Sequence, residues 1–304
     1  MTRSLAAVAG VAVVAAVLAA PVPAAKKNQW AFASDEHIYL FTEGDREPKK
    51  LTDGESTNMW PAWSPDGKQI AFCSTRDDSF HIFTMDVDGK NVKRITQQDA
   101  NRDGVTDCRY PSWHPDGKSI VFSRCFWDRC GVGESEICIV NATDGSDLRV
   151  LSNSGDDFPS FSPDGKSIVF LSTRGEVEYR LYTMNSDGQN ATKLSDVWAY
   201  GSESRPCWSH DGKAIAFGVQ GQEGIEIHVI RADGTGLKAL TKFGRCAAWP
   251  TWSPDGKQIA FVLQDHVDSD TNRSLWVMDA DGKNQREILK IGNPHLAFPA
   301  WRPK

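Results

Sequence analysis

With 304 residues, 24% of them charged and 40% hydrophobic, the chain has globular composition and no low-complexity bias. Its formal net charge of −6, without any basic run, excludes general nucleic-acid affinity, which rests on neutralising phosphates with Lys and Arg.

The N-terminus differs in kind from the rest of the chain. Arg3 precedes an apolar run rich in Ala and Val, Leu5 to Ala20, which ends at Pro21 and gives way to small residues. That order is the pattern of a secretory signal peptide. The run of 16 residues falls short of the roughly 20 that a spanning helix needs. We therefore expect residues 1–25 to be cleaved on export. The remainder, 26–304, should be one periplasmic or secreted domain with no membrane span, acting as a monomer. No Cys stands at the cleavage site to take a lipid anchor.

From Pro61 one phrase recurs. Pro61-Ala62-Trp63-Ser64-Pro65-Asp66-Gly67-Lys68-Gln69-Ile70-Ala71-Phe72 returns, with small changes, from Pro111, Pro159, Pro206 and Pro250. A sixth copy begins at Pro299 and stops at Lys304. Each copy opens with a short strand, turns at Ser-Pro-Asp-Gly, and alternates as a second strand over Ile70-Ala71-Phe72. Ile82 to Met85 reads as a third strand, Asp88-Gly89 as a hairpin, and Lys93 to Thr96 as a fourth strand. Four short antiparallel strands per repeat, with no helical period, indicate a β-propeller blade. The second half of the repeat occurs six times, the complete first half only five. The predicted fold is thus an all-β, six-bladed β-propeller of four-stranded antiparallel blades. One C-terminal strand at Pro299 to Pro303 and three N-terminal strands from Gln29 should close the ring. A solenoid would leave two open edges instead.

These residues, Pro-x-Trp-Ser-Pro-Asp-Gly-Lys-x-Ile-Ala-Phe with Asp-Gly and Leu-Thr after them, resemble the WD-like repeat of TolB-type propellers over residues 28–304. The resemblance implies the fold. It is to the propeller part alone, since TolB proteins carry an α/β domain before it and here the first strand comes directly after the cleavage site. Blades of this kind serve as non-catalytic scaffolds and as partner domains of peptidases. Some propellers resembling this one act on pectic oligosaccharides through channel histidines, but no His recurs at the strand-one positions here.

Loops between blades and between strands two and three share one face and vary in length, which is where binding residues are usually carried. Asp99, Asn101, Asp103, Val105 and Asp107 there have calcium-loop spacing, with Gly104 at the sharp turn and Tyr110 in place of the bidentate Glu. An Asp/Asn-rich turn without metal reads equally from the same residues. The residues before the repeat proline, Trp60, Tyr110, Phe158, Arg205, Trp249 and Phe298, either form a stacking funnel for a ligand at the channel mouth or pack blade on blade. Trp63, Trp113, Phe161, Trp208, Trp252 and Trp301 read as core. Acidic residues gather before the first four blades, Asp53, Glu55, Asp99, Asp103, Asp107, Asp156, Asp157, Asp196 and Glu203 among them. Of seven cysteines, Cys125 with Cys130 and Cys207 with Cys246 are the expected disulfides in an exported chain. No nucleophile elbow or zinc-protease motif occurs.

The function expected from these readings is a non-enzymatic exported scaffold for a protein or peptide partner. The alternatives are a carbohydrate-binding or carbohydrate-active propeller working in the channel mouth, and a regulatory propeller for a hydrolase or peptidase.

Overall fold

The computed structural model describes residues 27–97, 105–127, 133–265, 272–290 and 296–303. The expected signal peptide lies outside them. Apart from one 3-10 turn, the regular elements among them are strands. The N-terminal strands β1 (Gln29–Ser34), β2 (His37–Thr42) and β3 (Lys49–Lys50) precede β4–β7 (Asn58–Trp63, Gln69–Asp77, Ser79–Asp86, Lys93–Arg94) and β8–β11 (Val105–Trp113, Ser119–Trp127, Gly133–Asn141, Arg149–Ser152). Then come β12–β15 (Asp156–Phe161, Ser167–Ser172, Tyr179–Asn185, Thr192–Ala199), β16–β19 (Cys207–Trp208, Ala214–Gln220, Ile225–Arg231, Lys238–Ala239) and β20–β23 (Cys246–Trp252, Gln258–Gln264, Ser274–Asp279, Arg286–Lys290). The last strand, β24 (Ala297–Trp301), pairs antiparallel with β1, so one sheet runs β24-β1-β2-β3 and closes the ring. Six four-stranded sheets result, as the repeat predicts.

The same local chemistry builds each blade. In the first turn, Ser64 Oγ donates to Asp66 Oδ1 at 2.7 Å and accepts the Gln69 N–H, while the Lys68 N–H donates to Asp66. The set repeats at Ser162, Ser209 and Ser253, and His114 takes the serine's place in the second copy. Strand two buries one phenylalanine per blade, Phe32, Phe72, Phe122, Phe170, Phe217 and Phe261, all at zero exposure. Burying a large side chain contributes roughly 1.5–3 kcal/mol, and blade-to-blade packing achieves this without any helix. The Asp-Gly hairpins dock against the preceding blade. A Cβ on Gly89 would lie 2.5 Å from the Leu51 carbonyl oxygen, so only a residue without a side chain fits there.

Candidate functional site

The innermost strands carry an irregularity that repeats. In β4, β8, β12 and β20 the register with strand two shifts at the aromatic-proline pair, and β24 shifts likewise against β1. The aromatic residue of each pair has left-handed backbone, with φ between 54° and 57° at Trp60, Tyr110, Phe158, Trp249 and Phe298. The proline after it needs no ladder bond, which suits a bulge on an inner edge strand. Left-handed backbone costs a bulky residue roughly 1–2 kcal/mol. What offsets it is ring stacking. Trp249 meets Phe298 at 4.6 Å, Phe298 meets Trp60 at 5.8 Å, Trp60 meets Tyr110 at 4.6 Å, and Tyr110 meets Phe158 at 4.3 Å between centroids. All five are at most 6% exposed. They form a septum across the channel, which agrees with blade-on-blade packing and not with an open funnel.

Arg205 occupies the sixth slot. Its strand, β16, is only two residues long, and the 3-10 turn Gly201–Ser204 replaces the part before it. Gly218 permits that turn: a Cβ there would stand 3.0 Å from both Glu203 O and Ser204 Cα. The Trp249 indole N–H donates to Ser202 O at 2.9 Å and ties the turn to the septum. Arg205 Nη2 donates to Pro111 O at 3.2 Å, two blades away, so the side chain crosses the channel gap.

Beside the septum, on the Ser-Pro-Asp-Gly face, lies a cavity of 660 Å³. Arg205, Trp249 and Phe298 contribute to it from the septum; Trp60, Tyr110 and Phe158 do not line it. Its walls carry Trp63, Trp113, Phe161, Trp208, Trp252 and Trp301 together with four of the repeat prolines, Pro61, Pro206, Pro250 and Pro299. Those aromatic residues are therefore more than core. Trp63, Trp113 and Trp208 each donate the indole N–H to a carbonyl of the preceding blade, Ala300, Ala62 and Ser160, at 3.0–3.2 Å. That bond fixes the indole edge of each of the three rings, and the Arg302 guanidinium lies over the Trp63 ring at 5.0 Å. The ionisable residues of the lining are Arg205, Cys207 and His210, with no carboxylate. Burial pushes the Cys207 thiol up to about 12. Sequence reasoning placed the binding face on the variable loops; the concavity is on the face of the invariant turns.

On the loop face the acidic residues are largely engaged. Asp156 is fully buried and ion-paired with Arg174. Asp107 accepts the Phe80 N–H at 3.0 Å and pairs with Arg109. Arg124 and Glu136 form a buried pair. Asp196 pairs with Lys193. Asp157, 6% exposed, is raised to about 6 by burial. The acidic cluster of the sequence is thus interrupted by cations from the same or an adjacent strand.

Of the calcium-loop residues, Asp99, Asn101 and Asp103 lie outside the described residues. Val105 opens β8, and Asp107 sits inside it with its carboxylate already bonded. Among the described residues, no group of three or more His, Cys, Asp or Glu is placed to hold a metal. Cys130 also lies outside the described residues, and Cys125 is a buried thiol. The expected Cys207–Cys246 bond is not formed: both are thiols, and Cys207 Sγ donates to Pro250 O at 3.0 Å. Cys207 comes just after the repeat proline of its blade, whereas Cys246 precedes its own by four residues. The strands lie in neighbouring blades, so the two are offset by roughly 15 Å along the channel, beyond disulfide reach.

The profile of the TolB beta propeller domain matches residues 12–195 and 100–304. The chain belongs to the TolB β-propeller family. It is 33% identical to an uncharacterized protein of Agrobacterium fabrum over 190 residues, 59% of this chain and 60% of that protein. It is 31% identical to the Tol-Pal system protein TolB of Wolbachia over 61 residues, 20% of this chain and 14% of that one. These matches span less than two thirds of the relatives' lengths. In structure it resembles TolB from Acinetobacter baumannii, with a TM-score of 0.73 and 21% identity over 91% of this chain and 67% of that one. An oligogalacturonate lyase of Vibrio parahaemolyticus has a TM-score of 0.57 and 17% identity over 87% of this chain and 74% of that one. At such identities the likeness is one of fold. Among the described residues of this TolB-family chain, no helix is long and apolar enough to cross a membrane.

Proposed function

We propose that the chain is an exported, non-enzymatic propeller that binds a protein or peptide partner in the periplasm or outside the cell. The observation that carries this reading is the cavity beside the septum, walled by tryptophan and proline and free of carboxylates. Glycoside hydrolysis ordinarily needs a pair of carboxyl groups flanking the bond. An aromatic and proline wall, by contrast, suits an extended peptide, which aromatic-lined grooves recognise through apolar contact. The match to proteins named as Tol-Pal system components agrees with a partner-binding role. Calcium at Asp99 to Asp107 is part of the proposal as a loop-rigidifying ion, and it requires Asp107 to exchange its Arg109 contact for the metal.

The test is affinity capture from envelope extracts with the wild-type chain and with Trp252→Ala, with and without chelator. A partner retained by the first and lost by the second is the expected result. Capture of no protein, together with tight binding of an oligogalacturonate, would reverse the reading. A melting temperature indifferent to added calcium would remove the metal, because a ligand bound only by the folded state raises stability.

A further inference from the structure

We infer that the cavity receives the C-terminal end of a partner chain, and that the Arg205 guanidinium at its floor holds the terminal carboxylate. This rests on the partner-binding reading above and deepens it.

The first reason is that the cavity is blind. The five aromatic rings stack in series across the channel with centroids 4.3–5.8 Å apart, and Arg205 reaches over the remaining gap to Pro111 O. An extended chain cannot thread through such a septum. What reaches the floor must be a chain end or the tip of a tight loop.

The second reason is charge. A guanidinium carries five N–H donors, in a fork that matches a carboxylate. Arg205 spends one on Pro111 O, and it makes no ion pair among the described residues. No carboxylate lines the cavity. A part-buried cation without a counter-ion is costly, and an entering anion relieves that cost. The same charge rejects an N-terminal ammonium. Between the two ends of a polypeptide, the floor therefore selects the C-terminus.

The third reason is that the surroundings do not compete for Arg205. At the rim, Asp66, Asp164, Asp211 and Asp255 are bonded to their own turn serines, and each turn sets a lysine two residues after its aspartate. The rim is neutral pair by pair, while the floor carries a net positive charge. Arg205 is also held in place by construction: the 3-10 turn before it is seated over Gly218 and tied to the Trp249 indole. The sixth slot thus differs from the other five in backbone as well as in side chain.

The experiment compares two pools of N-terminally dye-labelled hexapeptides with randomised last four positions, one with a free C-terminal acid and one C-terminally amidated. Fluorescence anisotropy is measured as the full chain is added. The acid pool should bind on the order of ten- to a hundredfold more tightly than the amide pool, the range for a charge-assisted bond in a desolvated site. Arg205→Met, which keeps the unbranched stem, should erase the difference. Equal affinity of the two pools for the wild type overturns the assignment of the terminus; if Trp252→Ala then weakens both, the partner-binding reading stands without it. No binding of either pool overturns the inference as well. The acid–amide contrast on the wild-type chain decides the matter even if the Arg205 variant misfolds.

Discussion

Replacing Asp157 by Asn should make the protein more stable at neutral pH and leave it nearly unchanged in acid. Asp157 lies between the blades of β8–β11 and β12–β15, 6% exposed. Burial is the main cause of its raised pKa, with the Asp156 charge adding to it. The Ser123 hydroxyl, the Phe158 N–H and the Arg109 charge oppose the rise without cancelling it. The carboxyl moves from 3.8 in the unfolded chain to about 6 in the folded one. Between those values the folded state binds more protons than the unfolded state, so stability falls as pH rises through that window. Below it both states are protonated and the penalty is absent; above about pH 6 it is fully present. Two pKa units at about 1.4 kcal/mol each give a penalty of about 3 kcal/mol. Asn keeps a carbonyl to accept the Phe158 N–H and never ionises. The stability of Asp157→Asn minus that of the wild type should therefore grow by up to about 3 kcal/mol between pH 4 and pH 7.5. Urea denaturation at each pH measures it, and any constant offset from the amide cancels in the comparison. A difference flat across that range would refute the argument that burial governs this carboxyl.

Two further outcomes concern the ring and the septum. Deleting residues 299–304 removes Trp301, which packs on Trp30 at 4.8 Å, the Ala300 carbonyl that accepts the Trp63 indole, and the Arg302 bonds to Gly67 O. Losing a buried tryptophan alone costs roughly 3–5 kcal/mol, so the melting temperature should drop by about 10 °C or more; an unchanged melting curve would remove ring closure from the account. Gly218→Ala drives a methyl to 2.9 Å from Ile225 Cγ2 and 3.0 Å from the Glu203 carbonyl. It should cost about 1–3 kcal/mol and weaken acid-pool binding by displacing Arg205, whereas unaltered urea midpoint and affinity would show that the turn is not seated there.

The blades and the split closure could be read from the sequence because each strand and turn is spelled by local chemistry that recurs, and six copies outvote any one variant. Three things were not legible. Left-handed backbone at Trp60, Tyr110, Phe158, Trp249 and Phe298 runs against the preference of bulky residues, so alternation alone reads those strands as regular. The tryptophans two residues after the repeat proline share their period with scaffold residues, and nothing local tells a wall of a cavity from a core. The rim carboxylates look unpaired in the sequence, because Arg174 reaches Asp156 from a position that only the sheet brings near, and the Arg109–Asp107 pair depends on strand geometry. Arg205 was visible as the one break in an aromatic series. Its crossing of the channel required the geometry.

The pairing of β24 with β1 sets a timetable. Trp30 finds its stacking partner Trp301 at the far end of the chain. During synthesis the N-terminal three strands emerge first and must wait with an open edge until the last residues arrive. Contacts so distant in sequence form late, and until they form the exposed edge can pair with other chains. A chaperone acting on this protein would have its work concentrated at one blade, and would be released by the arrival of a single strand.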